Sequence, residues 1–139
     1  MEDKEKYMKI LEYQYDGEAL KRVYENTQWT VGIKNWKPSN DIEQIGNLER
    51  HNCTDELFVL LEGCCTLVYA NEKENGLDLE IIDMKPYAVY QIPPSLWHNT
   101  IMTKDAKLLL IENSDTSMEN SELRDLSKEE LIRLKDQMK

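Results

Sequence analysis

The chain has little of what marks several large functional classes. Its five glycines are dispersed through 139 residues, so there is no glycine-rich loop to cradle a phosphate and no dinucleotide fingerprint. Three cysteines, Cys53, Cys64 and Cys65, cannot all pair within the chain, and adjacent cysteines rarely bridge each other; reduced thiols fit a reducing compartment. Only His51 lies near Cys53 and no Cys-x2-Cys pair exists, which argues against a thiolate zinc site. No apolar run approaches the roughly 20 residues of a membrane span, and Met1 to Lys6 lead into "YMKILEYQY" rather than a signal-peptide core, so a cytoplasmic protein is expected. Basic residues are the minority, 17 Lys and Arg against 27 Asp and Glu. A net charge of −10 repels nucleic acid and anionic lipid, and neither is an expected partner. No arrangement resembles a Ser-His-Asp triad.

What is present reads as one β-rich domain. A chain of this length buries roughly two-thirds of its unfolded surface around a single core. Short β-like runs recur about every ten residues, the rhythm of a sandwich or barrel. They are "YMKILEYQ", "TQWTVGIKNW", "QIGNLERH", "ELFVLLEG", "CTLVYA", "LDLEIIDM", "YAVYQIP", "HNTIM" and "AKLLLIEN", separated by turn signals such as Asp16-Gly17, Asn75-Gly76 and Pro93-Pro94-Ser95. The stretch from Glu18 to Tyr24 reads as strand or helical turn. "LFVLL" is apolar on both faces and predicts a central strand covered on both sides. After Ile111 the sequence turns polar, "ENSDTSMENSELRD", and a last helix follows. Ser127 with Glu130 forms a capping box, and Leu131, Leu134 and Met138 recur near helical spacing. A β-domain over 1–126 and a helix over 127–139 packed on its outside are expected.

Metal-capable side chains gather in "LERHNCTDELFVLLEG". Glu49 and His51 are two apart and leave one face of a strand, while Glu56 opens the next strand after a short polar turn. The other histidine, His98, begins a strand after a proline turn. Imidazole nitrogen and carboxylate oxygen are ligand types for Mn, Fe, Ni and Zn. Aromatic residues Trp29, Trp36, Phe58, Tyr69, Tyr87, Tyr90 and Trp97 suffice to wall a pocket, though most belong in a core.

These residues carry a family resemblance. From about Trp29 to Glu112 the chain resembles the cupins, small double-stranded β-helix or jelly-roll barrels with two sequence motifs within 43–102 here. The first motif, G-x5-H-x-H-x3 or x4-E-x6-G, is met by His51, Glu56 and Gly63; Glu49 stands where its first histidine belongs and Glu43 where its opening glycine belongs. The second, G-x5-P-x-G-x2-H-x3-N, is met by Pro93 and His98, with Tyr87, Ser95 and Met102 replacing two glycines and the asparagine. The resemblance implies an all-β barrel with a C-terminal helix. It also implies an interior divalent transition metal held by His51, Glu56 and His98, with Glu49 in the corner of the missing histidine.

Three functions stay open at this level. One is a metal-dependent enzyme on a small organic molecule, of isomerase, lyase or dioxygenase type, in which Glu49 completes the ligand set or acts as general base. The second is a metal-free isomerase or epimerase with His51 or His98 as base and Tyr69 or Tyr90 as acid. The third is a non-catalytic ligand-binding module, to which the lost motif glycines are suited. A homodimer is expected from the two-sided "LFVLL" strand and the strand-like N-terminal segment.

Overall fold

The computed structural model describes residues 7–139; Met1 to Lys6, read above as no signal-peptide start, lie outside the described residues. Ten strands are followed by one helix: β1 Leu20–Glu25, β2 Trp29–Asn35, β3 Asn47–His51, β4 Glu56–Glu62, β5 Cys65–Lys73, β6 Gly76–Asp83, β7 Val89–Ile92, β8 Trp97–Met102, β9 Lys107–Asn113, β10 Ser121–Asp125 and α1 Lys128–Gln137. They form two five-stranded sheets, in the orders β1-β2-β9-β4-β7 and β10-β3-β8-β5-β6, and every strand pairing is antiparallel. This is the all-β jelly roll with a C-terminal helix. No helix among the described residues is long and apolar enough to cross a membrane.

Alternation along the strands builds two cores. Inward residues of both sheets, Phe58, Leu60, Leu108 and Leu110 from one and Cys65, Leu67 and Met102 from the other, meet in the barrel interior. On the opposite face of the second sheet Leu48, Val68, Ala70, Leu77, Leu79, Trp97 and Ile101 form another core, closed by Leu126 and Leu134. Helix α1 is therefore docked on the outside of the barrel. The outward face of the first sheet has no such cover: Leu57, Val59 and Leu61 of "LFVLL" are only half-buried, and Trp29, Tyr24 and Val89 are exposed.

Two elements differ from the sequence reading, and a third, left open there, takes a definite form. "YMKILEYQ" forms no strand; Met8 and Ile10 are each 98% exposed, because an alternating pattern makes a strand only where a sheet edge accepts it. Glu18 to Tyr24, ambiguous in sequence, contributes β1, paired along β2. The polar run after Ile111 contains β10, which pairs with β3 from Ser121↔His51 to Asp125↔Asn47. Its side chains are mostly exposed, so this strand is held by its backbone ladder and carries no apolar alternation to read.

Turn chemistry explains the motif positions. Gly63 has φ +69, and an added Cβ would lie 2.6 Å from the Ala106 backbone, so both conformation and space demand glycine. Tyr87 and Ser95, which replace motif glycines, nonetheless adopt φ +66 and +70. The fold keeps the left-handed turns and accepts their strain. Tyr87 is 75% exposed and loses little packing on truncation. Relief of roughly 1–2 kcal/mol of left-handed strain should exceed the roughly 0.5–1 kcal/mol entropic cost of glycine, so Tyr87→Gly is expected to raise stability in urea denaturation.

Glu130 fastens the helix. Its Oε1 accepts from Ser127 N–H at 2.8 Å and Arg124 at 3.0 Å, and its Oε2 accepts from Leu77 N–H at 3.0 Å. Burial alone would raise its pKa; these hydrogen bonds outweigh it and bring the carboxyl down to about 2. Glu130→Ala removes the acceptor of three donors, of which Leu77 N–H is buried and left unpaired, and should cost roughly 2–3 kcal/mol in urea denaturation. A depressed carboxyl stabilises above its unfolded pKa, so the difference between wild type and variant should be full above about pH 5 and shrink as pH falls toward 2.

Candidate metal centre

The interior is divided along its length. One part is the apolar core above; the other is a cavity of about 260 Å³ whose wall includes Glu49, His51, Glu56, His98 and Glu112. Strand parity brings them in. Glu49 and His51 face inward from β3 while Leu48 and Arg50 face out; Glu49 pairs with His98 on β8, and Glu56 on β4 pairs with Glu112 on β9. The two imidazole rings lie 5.5 Å apart, centre to centre. His51 Nε2 is 3.1 Å from Glu56 Oε1, 3.4 Å from Glu49 Oε1 and 3.9 Å from Glu112 Oε2, and His98 Nε2 is 2.7 Å from the same Glu56 oxygen.

Hydrogen bonds on the far side of each ring define its tautomer. His98 Nδ1 is 2.9 Å from the Leu96 carbonyl oxygen, which can only accept, so Nδ1 carries the proton. His51 Nδ1 is 2.7 Å from Ser121 Oγ, whose one proton goes to the Ser117 carbonyl at 2.5 Å; that hydroxyl must accept, and His51 is likewise protonated at Nδ1. With Nδ1 protonated, the Nε2 atom of each ring is the one turned toward carboxylate oxygens. Lone pairs at 2.7 to 3.1 Å repel unless a cation or a second ring proton lies between them.

The ionisation of the cluster follows. Burial would lower the His51 pKa, but the hydrogen bond with Glu56 and the charges of Glu56, Glu49 and Glu112 outweigh it and raise it. Burial would raise Glu56; bonds to both histidines bring it down to about 2. Glu112 goes the other way, pushed up to about 7 by burial and by the neighbouring Glu56 carboxylate. Glu49, His51 and His98 each offer one ligand atom with all three within 4.8 Å of one another, and so do His51, Glu56 and Glu112. This donor set suits a divalent ion, and the tautomers present the ligating nitrogens.

The structure thus brings His51, Glu56, His98 and Glu49 together. It does not bring Tyr90 to them. Tyr90 faces inward from β7 but packs at the apolar end, where its hydroxyl accepts from Lys85 N–H at 2.8 Å; with Tyr69 it lines a separate, mostly apolar pocket. Of the seven aromatic residues considered as pocket walls, only Phe58 lines this cavity. Cys65 is buried, its thiol pushed up to about 12 by desolvation, and Cys53 and Cys64 are exposed.

Sequence reasoning missed Glu112, Ser121, Lys34 and Arg22. Glu112 had a signal: Leu108, Leu110 and Glu112 share the buried face of one strand, and an acid at a core position calls for a partner. Ser121 had none, since its strand was not legible.

No family model matches the chain, and no curated protein matches it. Solved structures do resemble it. A variant of Streptomyces PAC13 solved with uridine superposes with TM-score 0.57 at 11% identity over 87% of this chain and 98% of that one. The capsular polysaccharide assembling protein CapF from Staphylococcus aureus gives TM-score 0.57 at 13% identity over 88% of this chain, which spans only 34% of CapF. A cupin-2 domain containing protein from Shewanella frigidimarina gives TM-score 0.50 at 19% identity over 71% of this chain and 84% of its own. These likenesses bear on architecture, and with the two facing sheets and the motif residues in one cavity they identify the chain as a small cupin-fold domain.

Proposed function

We propose that this protein binds one divalent transition-metal ion, of the Mn, Fe, Ni or Zn kind, through His51, Glu56 and His98 with Glu49 completing the set, and acts as an enzyme on a small organic molecule in the same cavity. The observation that carries the reading is the pair of Nδ1-protonated imidazoles aiming Nε2 at one carboxylate oxygen. An ion bound there would supply Lewis-acid polarisation of a substrate oxygen. The chain's own residues supply the rest. Glu112 Oε2, 3.9 Å from His51 Nε2, is a carboxyl able to hold or give a proton near neutral pH. Glu49, whose side chain is 35% exposed, is the ligand nearest water and the one a substrate can displace. The metal-free isomerase reading retains a histidine base, but its acid passes from Tyr69 or Tyr90 to Glu112.

Elemental analysis of untagged protein purified without chelator should find close to one transition metal per chain. His51→Ala and His98→Ala should lose most of it. Ser121→Ala, which touches no ligand atom, should weaken metal affinity about 10- to 100-fold by freeing the His51 ring. Glu49→His should retain metal and shift preference toward softer ions. Metal-free protein whose melting temperature no ion of this series raises would overturn the metal and leave the binding-module reading.

We further propose that the chain is a homodimer through the outward face of the β1-β2-β9-β4-β7 sheet. Half-buried Val31, Leu57, Val59, Leu109 and Ile111 there adjoin exposed Trp29 and Tyr24; Tyr13 lies beside Tyr24, and no helix or strand of the described chain packs over them. Light scattering is expected to give twice 16.4 kDa, and the monomer mass alone at micromolar concentration would refute the dimer.

A further inference from the structure

The same cavity holds two cations that the metal reading does not use. Arg22, exposed at the rim on β1, and Lys34, half-buried on β2, both line it. In the β1–β2 ladder Leu20 faces Lys34 and Arg22 faces Gly32, so the two cations are diagonal neighbours, roughly 7–8 Å apart at Cα. Gly32 contributes no side chain between them, and a Cβ there would meet Leu20 at 2.6 Å. Lys34, half-buried on the inner face, donates to Thr100 Oγ1 at 2.9 Å; Arg22 donates through Nη2 to the Thr116 carbonyl at 2.8 Å. Among the described residues neither has a carboxylate within ion-pair distance, although the chain carries 27 acids, and most of their N–H donors have no partner within the protein. Burial, with the nearby Lys37 charge, lowers the Lys34 pKa and outweighs the opposing pull of the Glu56 and Glu49 carboxylates.

We infer that the ligand of this cavity is a small organic monocarboxylate, its carboxylate held between Arg22 and Lys34 and the rest of the molecule directed toward the His51–Glu56–His98 cluster. The inference rests on the reading of this cavity as the small-molecule site. An arginine fork and an ammonium on one sheet face are the donors a carboxylate accepts from, and charge assistance makes such bonds the strong ones. Glu49 and Glu56 share the cavity and repel each further negative charge on a ligand, which disfavours a phosphate dianion relative to a monocarboxylate. A volume of about 260 Å³ sits just below the usual range for ligand sites and limits the acid to a few carbons beyond its carboxylate.

The test is calorimetric titration of acetate, lactate, pyruvate and benzoate, each beside its neutral amide, with inorganic phosphate as a further arm, into chelator-treated and Mn-loaded protein. At least one acid should saturate, its amide should not, and Arg22→Gln and Lys34→Gln should each weaken it at least about tenfold. Equal binding of acid and amide, preference for phosphate, binding untouched by both substitutions in folded variants, or no acid bound at millimolar concentration in either form would overturn it. Because acid and amide are compared in wild-type protein, a variant that fails to fold does not blunt the test. Acid binding by chelator-treated protein that takes up no metal would separate this inference from the metal assignment, which would then fail alone.

Discussion

Two imidazoles and three carboxylates face one another inside this barrel, and their electrostatic balance is the constraint around which the rest is arranged. Buried charge of one sign is costly unless compensated within hydrogen-bond range. The protein compensates locally: Glu56 takes both histidines and is held ionised, and Glu112, beside it in the ladder, is forced toward its neutral form. Each histidine is turned by a partner outside the cluster, the Leu96 carbonyl at the proline turn and the Ser121 hydroxyl on β10. The orientation of the site is thus written into a turn and an added strand as much as into the ligands.

Much of this was legible in the chain. Parity placed Glu49 and His51 on one strand face, and motif spacing added Glu56, Gly63 and His98; all five occupy the positions that these patterns imply. Where the motif had lost glycine, at Tyr87 and Ser95, the backbone kept the glycine-like conformation, so the register of the second motif survived its own substitutions. What sequence could not reveal depended on partners distant in the chain. Ser121 is 70 residues from His51, and its strand has exposed side chains and no apolar period. The phenol of Tyr90 suits an acid, but parity alone cannot say at which end of a barrel an inward residue lies. "YMKILEYQ" failed in the opposite sense, with the right alternation and no strand among the described residues that it pairs with.

The two sheets solve the same problem differently. Each presents apolar residues on both faces, as "LFVLL" announces for one and Leu48, Val68 and Ala70 demand for the other. The second sheet is finished within the chain by α1, whose Leu134 is fully buried and whose Glu130 clamps the β5–β6 turn. The first is left open, and the hydrophobic effect favours a second surface there.

Strand β10 ties these features together. Its first residue, Ser121, fixes the tautomer of His51; its penultimate one, Arg124, reaches Glu130 of the helix; and all five of its residues pair along β3. Docking of α1 and alignment of the inward-facing imidazole are therefore mechanically continuous through one five-residue strand. A site whose oriented ring depends on a single hydroxyl tolerates little displacement, since a shift of about 1 Å would break a 2.7 Å hydrogen bond. That gives the C-terminal segment, which looks like an appendage to a minimal barrel, a physical reason to be clamped by a buried carboxylate. The clamp preserves the geometry that keeps one lone pair aimed inward.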